Sequence, residues 1–206
     1  MNNKVNIAVL VSGGGTNLQA LINAQKSGII TSGEIKLVVS SNKNAYALKR
    51  AENAEIKTAV CERKVISQKE FEESILNALE KEKIEVIVLA GFMSILSADF
   101  VKRYPERIIN VHPSLIPSFC GEGFYGLRVH KAALDYGVKV TGATVHFVNE
   151  IPDGGRIIMQ KAVDIEENDT PEALQKRVME NAEWIILPAA AEKVCKEIKE
   201  RKNERI

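Results

Sequence analysis

The stretch VNIAVLVSGGGTNLQAL, residues 5–21, decides the fold of this chain. Its first seven residues are mostly apolar and often β-branched, which is typical of a strand buried on both faces of a parallel sheet. Three consecutive glycines follow, and then apolar residues return at helical spacing. The stretch therefore predicts a strand, a tight glycine loop and a helix, the first half of a β-α-β unit.

The same alternation continues to about residue 111. Further strand-like runs are predicted at residues 35–40, 58–60, 86–90 and 107–111, and helical patterns at residues 17–26, 45–53, 68–83 and 97–103. Alternating strands and helices favour a parallel sheet, because each crossover helix returns the chain to the edge where the strand began. The predicted fold class is α/β, a Rossmann-like, open, mostly parallel twisted sheet with helices on both faces.

Beyond this point the pattern changes. A long connection containing proline and glycine leads to a helical pattern at residues 129–136, and strand-like runs follow at residues 140–148 and 156–163. The turn-rich joint between these two runs predicts an antiparallel strand pair in the C-terminal part. The last helix is expected to begin at Pro171, and Pro188 is expected to kink or divide it.

Length and composition indicate one domain. The 206 residues are 45% hydrophobic and 27% charged, with a net charge of +1 at pH 7, which is ordinary for a soluble globular protein. So small a net charge provides no field that favours nucleic acid or a membrane surface, and neither is expected as a partner. Three scattered cysteines without a C-x-x-C motif indicate neither a disulfide framework nor a zinc site. With no recognisable targeting segment, a reducing cytoplasm is the expected location.

The glycine loop has the features of an anion-binding site. Backbone amides of such a loop and of the following helix point at one spot, where the helix dipole favours an anion. A P-loop needs a lysine after its last glycine, but Thr16 and Asn17 follow Gly15. A dinucleotide fingerprint needs glycine where Leu18 stands and an acid after the second strand, where the sequence reads SSNK. The loop therefore favours a phosphate monoester, and a tight turn that binds nothing is the alternative.

The stretch IINVHPSLIPS, residues 108–118, ends a buried strand with two polar side chains. Side chains alternate along a strand, so Asn110 and His112 share a face at the carboxyl edge of the sheet, where ligands bind in α/β folds. Pro113 then ends the ladder. An amide can donate to a developing oxyanion, and an imidazole can move protons near neutral pH. No cysteine or serine lies in a nucleophile motif and the histidines lack metal-ligand spacing, so no metal is expected.

A partner for His112 is expected in the segment EIPDGGRII. A carboxylate at Asp153 near the imidazole would raise the histidine pKa and orient the ring. The alternative is that Asp153 only initiates a turn, which is a common use of Asp-Gly. His146 is interpreted as a buried, hydrogen-bonded histidine rather than a catalyst.

Four motifs together resemble one family. The motifs SGGGTNLQAL, LAGFM, NVHPSLIPSF and GATVHFVNEIPDGGRII are similar, in this order, to those of the phosphoribosylglycinamide formyltransferases, folate-dependent enzymes of purine synthesis. The resemblance implies transfer of the formyl group of 10-formyltetrahydrofolate, a co-substrate, to the amine of glycinamide ribonucleotide. It also implies one formyltransferase domain over residues 1–206, with a phosphate-binding half at 1–111 and a folate-binding, catalytic half at 112–206, and either a monomer or a homodimer.

The resemblance also implies roles for particular residues. Asn110 would donate to the formyl oxygen, His112 would be the acid and base, cationic when it stabilises the oxyanion, and Asp153 would tune His112. The ribonucleotide would be bound by the glycine-loop residues and one distant glutamate: Gly14, Gly15, Thr16, Asn17, Leu18 and Glu183. The folate would be bound by residues from four segments: Gln68, Lys69, Met93, Ser94, Ile95, Leu96, Asn110 and Thr144.

Other interpretations remain open at this point. A formyltetrahydrofolate hydrolase would use water in place of the amine, but that family carries His-His-Ser where this chain has His112-Pro113-Ser114. A methionyl-tRNA formyltransferase would need a further basic domain for tRNA. A non-catalytic nucleotide-binding module would bind phosphate without turnover.

Overall fold

The structure is a computed structural model that describes residues 4–63 and 66–204. Its strands are β1 Val5–Val11, β2 Gly33–Ser40, β3 Lys57–Val60, β4 Val86–Leu89, β5 Ile108–His112, β6 Val140–Phe147 and β7 Ile157–Asp164. Its α-helices are α1 Thr16–Lys26, α2 Tyr46–Asn53, α3 Gln68–Lys81, α4 Ala98–Lys102, α5 Leu127–Tyr136, α6 Pro171–Val178 and α7 Trp184–Asn203. A π-helical turn, Met179–Glu183, joins α6 to α7.

All seven strands form one sheet in the order β3-β2-β1-β4-β5-β6-β7. The strands from β1 to β5 are parallel, whereas β6 runs antiparallel to β5, and β7 antiparallel to β6. This confirms the predicted α/β class, the mostly parallel sheet and the antiparallel pair in the C-terminal part.

Helices cover both faces of the sheet. On one face, α1, α2, α6 and α7 pack on the strands through a core that includes Leu21 and Leu187. On the other face, α3 and α4 bury Phe71, Ile75 and Phe100 against the sheet. Strands β1 and β4 are buried almost throughout, which explains their nearly continuous apolar sequences.

The strand order reverses between β1 and β4, and this reversal opens a crevice at their carboxyl ends. The chain leaves β1 toward β2 on one side and leaves β4 toward β5 on the other. Two hydrogen bonds tie the loops that follow: Ser12 N donates to Gly91 O at 3.1 Å, and Met93 N donates to Ser12 Oγ at 2.9 Å. The glycine loop and the Gly91–Leu96 loop are thereby held side by side.

The irregularity predicted at Pro188 occurs earlier in the chain. The helix is interrupted by the π-helical turn, and Pro188 lies inside α7 as its fifth residue. A proline ring crowds the carbonyl four residues before it and leaves that carbonyl without a donor. The affected carbonyl belongs to Trp184, the residue that follows the wide turn, so the distortion precedes the proline by about one turn.

The buried edge of α7 is fastened to the start of β2 by one carboxylate. Glu192 accepts hydrogen bonds from the backbone N–H groups of Thr31 and Ser32 at 2.8 and 2.9 Å, and from their hydroxyls at 3.0 and 2.8 Å. Burial alone would raise the pKa of Glu192, but the hydrogen bonds from Ser32 and Thr31 outweigh burial and the net pKa is lowered.

We predict that Glu192→Gln lowers the free energy of unfolding at neutral pH by about 1–2 kcal/mol, since it removes a charged acceptor. Because the folded-state pKa lies below the ordinary value of 4.5, the carboxylate stabilises the fold above that value. The stabilisation is lost as pH falls through the lowered value. Urea denaturation across this range should show the difference from wild type shrinking in acid. Exposed Glu200→Gln is the control, and a difference independent of pH would contradict the assignment.

Candidate active site

A cavity of about 760 Å³ lies over the crevice between β1 and β4. It extends from Asn17, in the first turn of α1, to the ends of β4 and β5, and the loop between β5 and α5 forms one of its walls. Its lining combines apolar surface with a small number of convergent polar groups, as expected of a small-molecule site. The polar lining residues are Asn17, Ser94, Asn110, His112, Glu122, Tyr125, His130, Asp153, Gln175 and Glu183.

The glycine loop leads directly into α1, whose second residue, Asn17, lines this cavity. Gly15 is the N-cap of α1 with φ 73°, and no side chain caps the helix, so its first amides remain available to an anion. A Cβ on Gly15 would lie 2.6 Å from Ala47 Cβ, so both the backbone angle and the close packing of α2 require glycine here. Arg50 of α2 also donates to Gly14 O at 2.8 Å, which fixes that carbonyl.

Asn17 and Glu183 connect the glycine loop to the π-helical turn. Asn17 Nδ2 donates to Glu183 Oε2 at 2.6 Å, and both side chains are buried. Burial raises the pKa of Glu183, and the hydrogen bond from Asn17 opposes the shift without reversing it. The wide turn therefore delivers an acid from the C-terminal part to the anion site, 166 residues away in sequence.

At the end of β5, Asn110 is oriented by a histidine on β6. The two strands pair antiparallel with Asn110 opposite His146, and Asn110 Nδ2 lies 3.2 Å from His146 Nε2. His146 Nδ1 lies 2.8 Å from the Phe147 carbonyl oxygen, which can only accept, so Nδ1 carries a proton. His146 Nε2 also lies 3.5 Å from Asp153 Oδ1, so it faces both the Asn110 amide and this carboxylate. His146 is thus the buried, satisfied histidine that was expected, and it leaves one amide proton of Asn110 free for the cavity.

The carboxylate of Asp153 meets His112, as the sequence predicts. His112 Nδ1 lies 3.4 Å from Asp153 Oδ2, and His112 Nε2 lies 2.8 Å from the Phe119 carbonyl oxygen. Asp153 has φ 55°, a left-handed angle that aspartate tolerates in turns. A Cβ on Gly155 would overlap the Phe147 carbonyl oxygen, so the turn can approach β6 this closely only with glycine.

The protonation of this pair differs from the expectation. Burial lowers the pKa of His112 below its ordinary value of 6.5, and the Asp153 carboxylate and Phe119 carbonyl oppose this shift without reversing it. The carboxylate of Asp153 does act to raise the pKa of His112, as predicted. The prediction of a raised net pKa is wrong, because the effect of burial is larger. Burial also opposes ionisation of Asp153, but His146, His112 and the Gly121 N–H outweigh it and lower the Asp153 pKa. The pair is thus a neutral imidazole beside a carboxylate near neutral pH.

The Gly91–Leu96 loop forms the opposite end of the cavity. Met93 and Ile95 are exposed there, and Leu96 is buried in the core beneath them. The loop is held by buried Glu72, which accepts from Ser97 N at 2.6 Å and from Ser97 Oγ at 2.5 Å. An apolar shelf of this kind suits a flat heteroaromatic ring.

Several residues predicted to bind substrate do not line this cavity: Gly14, Gly15, Thr16, Leu18, Gln68, Lys69, Leu96 and Thr144. Thr16 lines a separate cavity of about 380 Å³ instead. Gln68 Nε2 donates to Glu72 and to the Ile95 carbonyl, so its amide nitrogen supports the loop. Lys69 is exposed, and its ammonium lies 4.0 Å from Glu73. Thr144 is fully buried, and its hydroxyl donates to Ser114 O and accepts from Ile116 N and Gln160 Nε2.

Leu18 is a further residue of this set. Its side chain is completely buried in the core. Only its backbone N–H, in the first turn of α1, is placed to contribute to an anion site.

Sequence reasoning did not single out several residues of the lining. Gln175 and Met179 line the cavity from the end of α6 and from the π-helical turn, and His130 lines it from α5. The available signal for His130 was its place on an apolar helical face, next to Val129 and three residues before Ala133. Nothing in the local sequence signals that α6 reaches the cavity, because the topology of the sheet brings it there.

Two searches of the described residues gave no positive result. Over residues 4–63 and 66–204 no three His, Cys, Asp or Glu side chains are grouped closely enough to bind a metal ion. Over the same ranges no helix is both long enough and apolar enough to span a membrane.

Comparison with known proteins shows that this chain is similar to members of one family. The model of the formyl transferase family matches residues 5–190. Phosphoribosylglycinamide formyltransferase of Haemophilus influenzae is 42% identical over 183 residues, which cover 88% of this chain and 83% of that protein. The crystal structure of glycinamide ribonucleotide transformylase 1 from Symbiobacterium toebii has a TM-score of 0.88 at 35% identity, covering 96% of this chain and 90% of that one.

Larger proteins contain a similar segment. The trifunctional purine biosynthetic protein adenosine-3 of Gallus gallus is 48% identical over 194 residues, which are 94% of this chain and 19% of that protein. This chain therefore spans about a fifth of the length of that relative. Because the family match covers nearly all of the sheet and the whole cavity lining, the chain belongs to the formyl transferase family.

Proposed function

We propose that this chain transfers the formyl group of 10-formyltetrahydrofolate to the amine of glycinamide ribonucleotide. The products are formylglycinamide ribonucleotide and tetrahydrofolate, and the reaction belongs to de novo purine biosynthesis. The observation that carries the proposal is the meeting of Asn110, His112 and Asp153 in one cavity with Asn17, from the uncapped N-terminus of α1. The names of the relatives support the same substrates.

The ribonucleotide binds at the glycine-loop end of the cavity. Its phosphate accepts hydrogen bonds from the loop and from the first turn of α1, at Gly14, Gly15, Thr16, Asn17 and the Leu18 amide. Glu183 stands beside Asn17 and accepts from hydroxyl groups of the ribose. This arrangement directs the amine toward His112.

The folate binds at the other end, with its pterin against the shelf formed by Met93, Ser94, Ile95 and Leu96. It is a co-substrate, and the reaction needs no metal. Gln68 and Lys69 stay candidates for its glutamate tail, and Thr144 acts indirectly by fixing the loop after β5. These folate contacts lower KM, and they raise kcat only where they are stronger in the transition state than in the ground state.

The chemical step uses the three residues at the end of β5 and in the Asp-Gly-Gly turn. The amine attacks the formyl carbon, a C–N bond forms, and the carbonyl π electrons move to oxygen. The free amide proton of Asn110 meets this oxyanion. Neutral His112 takes the proton from the amine, and the carboxylate of Asp153 compensates the resulting imidazolium. As the carbonyl re-forms, the bond to folate N10 breaks, and N10 receives the proton from His112.

We propose that this reaction takes place in the cytoplasm. We also propose that a single domain, residues 1–206, carries it out. The part at 1–111 supplies the phosphate site, and the part at 112–206 supplies His112, Asp153 and Glu183. The active form is a monomer or a homodimer, with no nucleic acid partner. Release of tetrahydrofolate, followed by absorbance with and without glycinamide ribonucleotide, tests the activity. Release that does not need the ribonucleotide would indicate a hydrolase, and no release would indicate a binding module.

We predict that His112→Ala and Asn110→Ala each lower kcat by at least about 10²-fold with little change in either KM, because both groups act mainly in the transition state. Steady-state kinetics with each substrate varied in turn measures this. Exposed Asn149→Ala, on the loop before the Asp-Gly-Gly turn, is the control. Turnover near that of wild type in either variant would remove the role assigned to that residue.

A second prediction concerns ribonucleotide binding. Asn17→Ala should raise KM for the ribonucleotide about 10-fold and change kcat less, because it removes a polar group from the binding site and leaves Glu183 without its buried partner. Asn23→Ala, on the exposed side of the same helix, should behave as wild type. An unchanged ribonucleotide KM in Asn17→Ala would count against this end of the cavity as the phosphate site.

The third prediction is a pH profile. The Asp153 carboxylate raises the pKa of His112 against the effect of burial, so Asp153→Asn should lower it further. The acid limb of kcat/KM, which reports loss of the neutral base, should therefore move to lower pH. Turnover at neutral pH should fall at least about 10-fold, since the imidazolium formed during the reaction loses its counter-charge. Asp135→Asn on exposed α5 is the control, and an acid limb that stays in place or moves up would refute the coupling.

A further inference from the structure

His130 is a buried histidine without a partner. It belongs to the first turn of α5, its side chain is 1% exposed, and it lines the cavity. Neither Nδ1 nor Nε2 has a hydrogen-bond partner among the described residues.

Such an arrangement is costly in a ligand-free protein. A neutral imidazole has one N–H donor and one acceptor nitrogen, and a buried polar group left unpaired costs the protein stability. The other two buried histidines of this region, His112 and His146, have polar contacts at both nitrogens. A purely structural position at His130 would be filled better by an apolar residue, because α5 packs the adjacent Val129 and Ala133 into the core.

The position of the ring indicates which substrate it meets. Helix α5 packs against α6, and α6 with the π-helical turn contributes Gln175, Met179 and Glu183 to the cavity wall. This wall belongs to the ribonucleotide end, whereas the pterin shelf lies at the end of β4. His130 is also close enough to His112 for the charge of one to lower the pKa of the other. It therefore stands between the transfer point and the ribonucleotide wall.

We infer that His130 is a substrate-binding residue that hydrogen-bonds, as a neutral imidazole, to a hydroxyl or amide group of glycinamide ribonucleotide beside the transfer point. This inference rests on the proposed function and extends it. The bound ribonucleotide supplies the partner that the protein itself does not supply. Bound in this way, the sugar or its glycinamide arm is aligned so that the amine faces His112.

The neutral state of His130 also suits the reaction. Burial, together with the neighbouring His112, lowers the pKa of His130 to about 4, so it stays uncharged when His112 takes up a proton. Two adjacent imidazolium groups would repel each other. His130 can therefore hold the substrate throughout the reaction without competing for the proton.

Replacing His130 with leucine and glutamine tests the inference. His130→Leu keeps an apolar group of similar size and removes both hydrogen-bonding atoms, whereas His130→Gln keeps one donor and one acceptor. We expect His130→Leu to weaken ribonucleotide binding about 10-fold or more, measured by titration calorimetry without folate and by KM. KM for the folate should stay within about 2-fold, and His130→Gln should recover most of the lost affinity. Exposed Lys131→Ala, next on the same helix, is the control.

A second readout separates binding from structure. If the unpaired imidazole is kept for the ligand, ligand-free His130→Leu should be at least as stable as wild type in thermal denaturation, while its ribonucleotide affinity falls. Unchanged affinity in a folded His130→Leu would overturn the inference, and so would a destabilised variant in which both KM values rise together. A wild-type protein that releases no tetrahydrofolate would refute the proposed function itself, whereas an active wild type with unaffected His130→Leu would refute this inference alone.

Discussion

The pairing of β1 between β2 and β4 is the constraint on which the rest of the molecule depends. Two parallel crossovers that depart in opposite directions cannot cover the crevice between β1 and β4, so their following loops stay open at the carboxyl edge. Hydrogen bonds from Met93 N to the Ser12 hydroxyl and from Ser12 N to the Gly91 carbonyl cross that gap. They hold the candidate anion site next to the apolar shelf. A cavity able to hold two substrates end to end follows from the topology before any catalytic residue is considered.

The antiparallel strand β6 completes the site because it brings later parts of the chain back over this crevice. Its register sets His146 opposite Asn110 and Thr144 opposite His112. Each polar residue of β5 therefore lies opposite a polar residue of β6. The turn after β6 then needs Gly155 for its close approach to the Phe147 carbonyl, and that approach carries Asp153 to the imidazole. One strand pairing therefore orients the amide and positions the carboxylate.

Much of this could be predicted from local sequence because the signals are local. Continuous apolar runs, the glycine triplet and the proline after His112 each act within a few residues, and they were enough for the sheet and for the polar groups at its edge. The roles of His130 and Glu72 were not predictable in this way, since each depends on packing between elements distant in sequence. The net pKa shift of His112 was also missed: the sequence shows the nearby carboxylate, but only the folded chain shows the burial that outweighs it. Pro188 was interpreted as the break itself, whereas the wide turn before it absorbs the strain.

The distribution of unsatisfied buried polar atoms gives the cavity a common energetic logic. Among the described residues, such atoms occur on Asn17 and His130 at the cavity wall, and on Gln68 and Trp184 outside the cavity lining. Satisfying these atoms with protein partners would make the protein more stable, but it would also remove hydrogen-bonding groups that a polar ligand can use. Under the proposed function, part of the hydrogen-bonding capacity of the cavity wall is kept for the ribonucleotide. Substitutions that fill this cavity wall with apolar atoms should therefore stabilise the free chain and weaken ligand binding together.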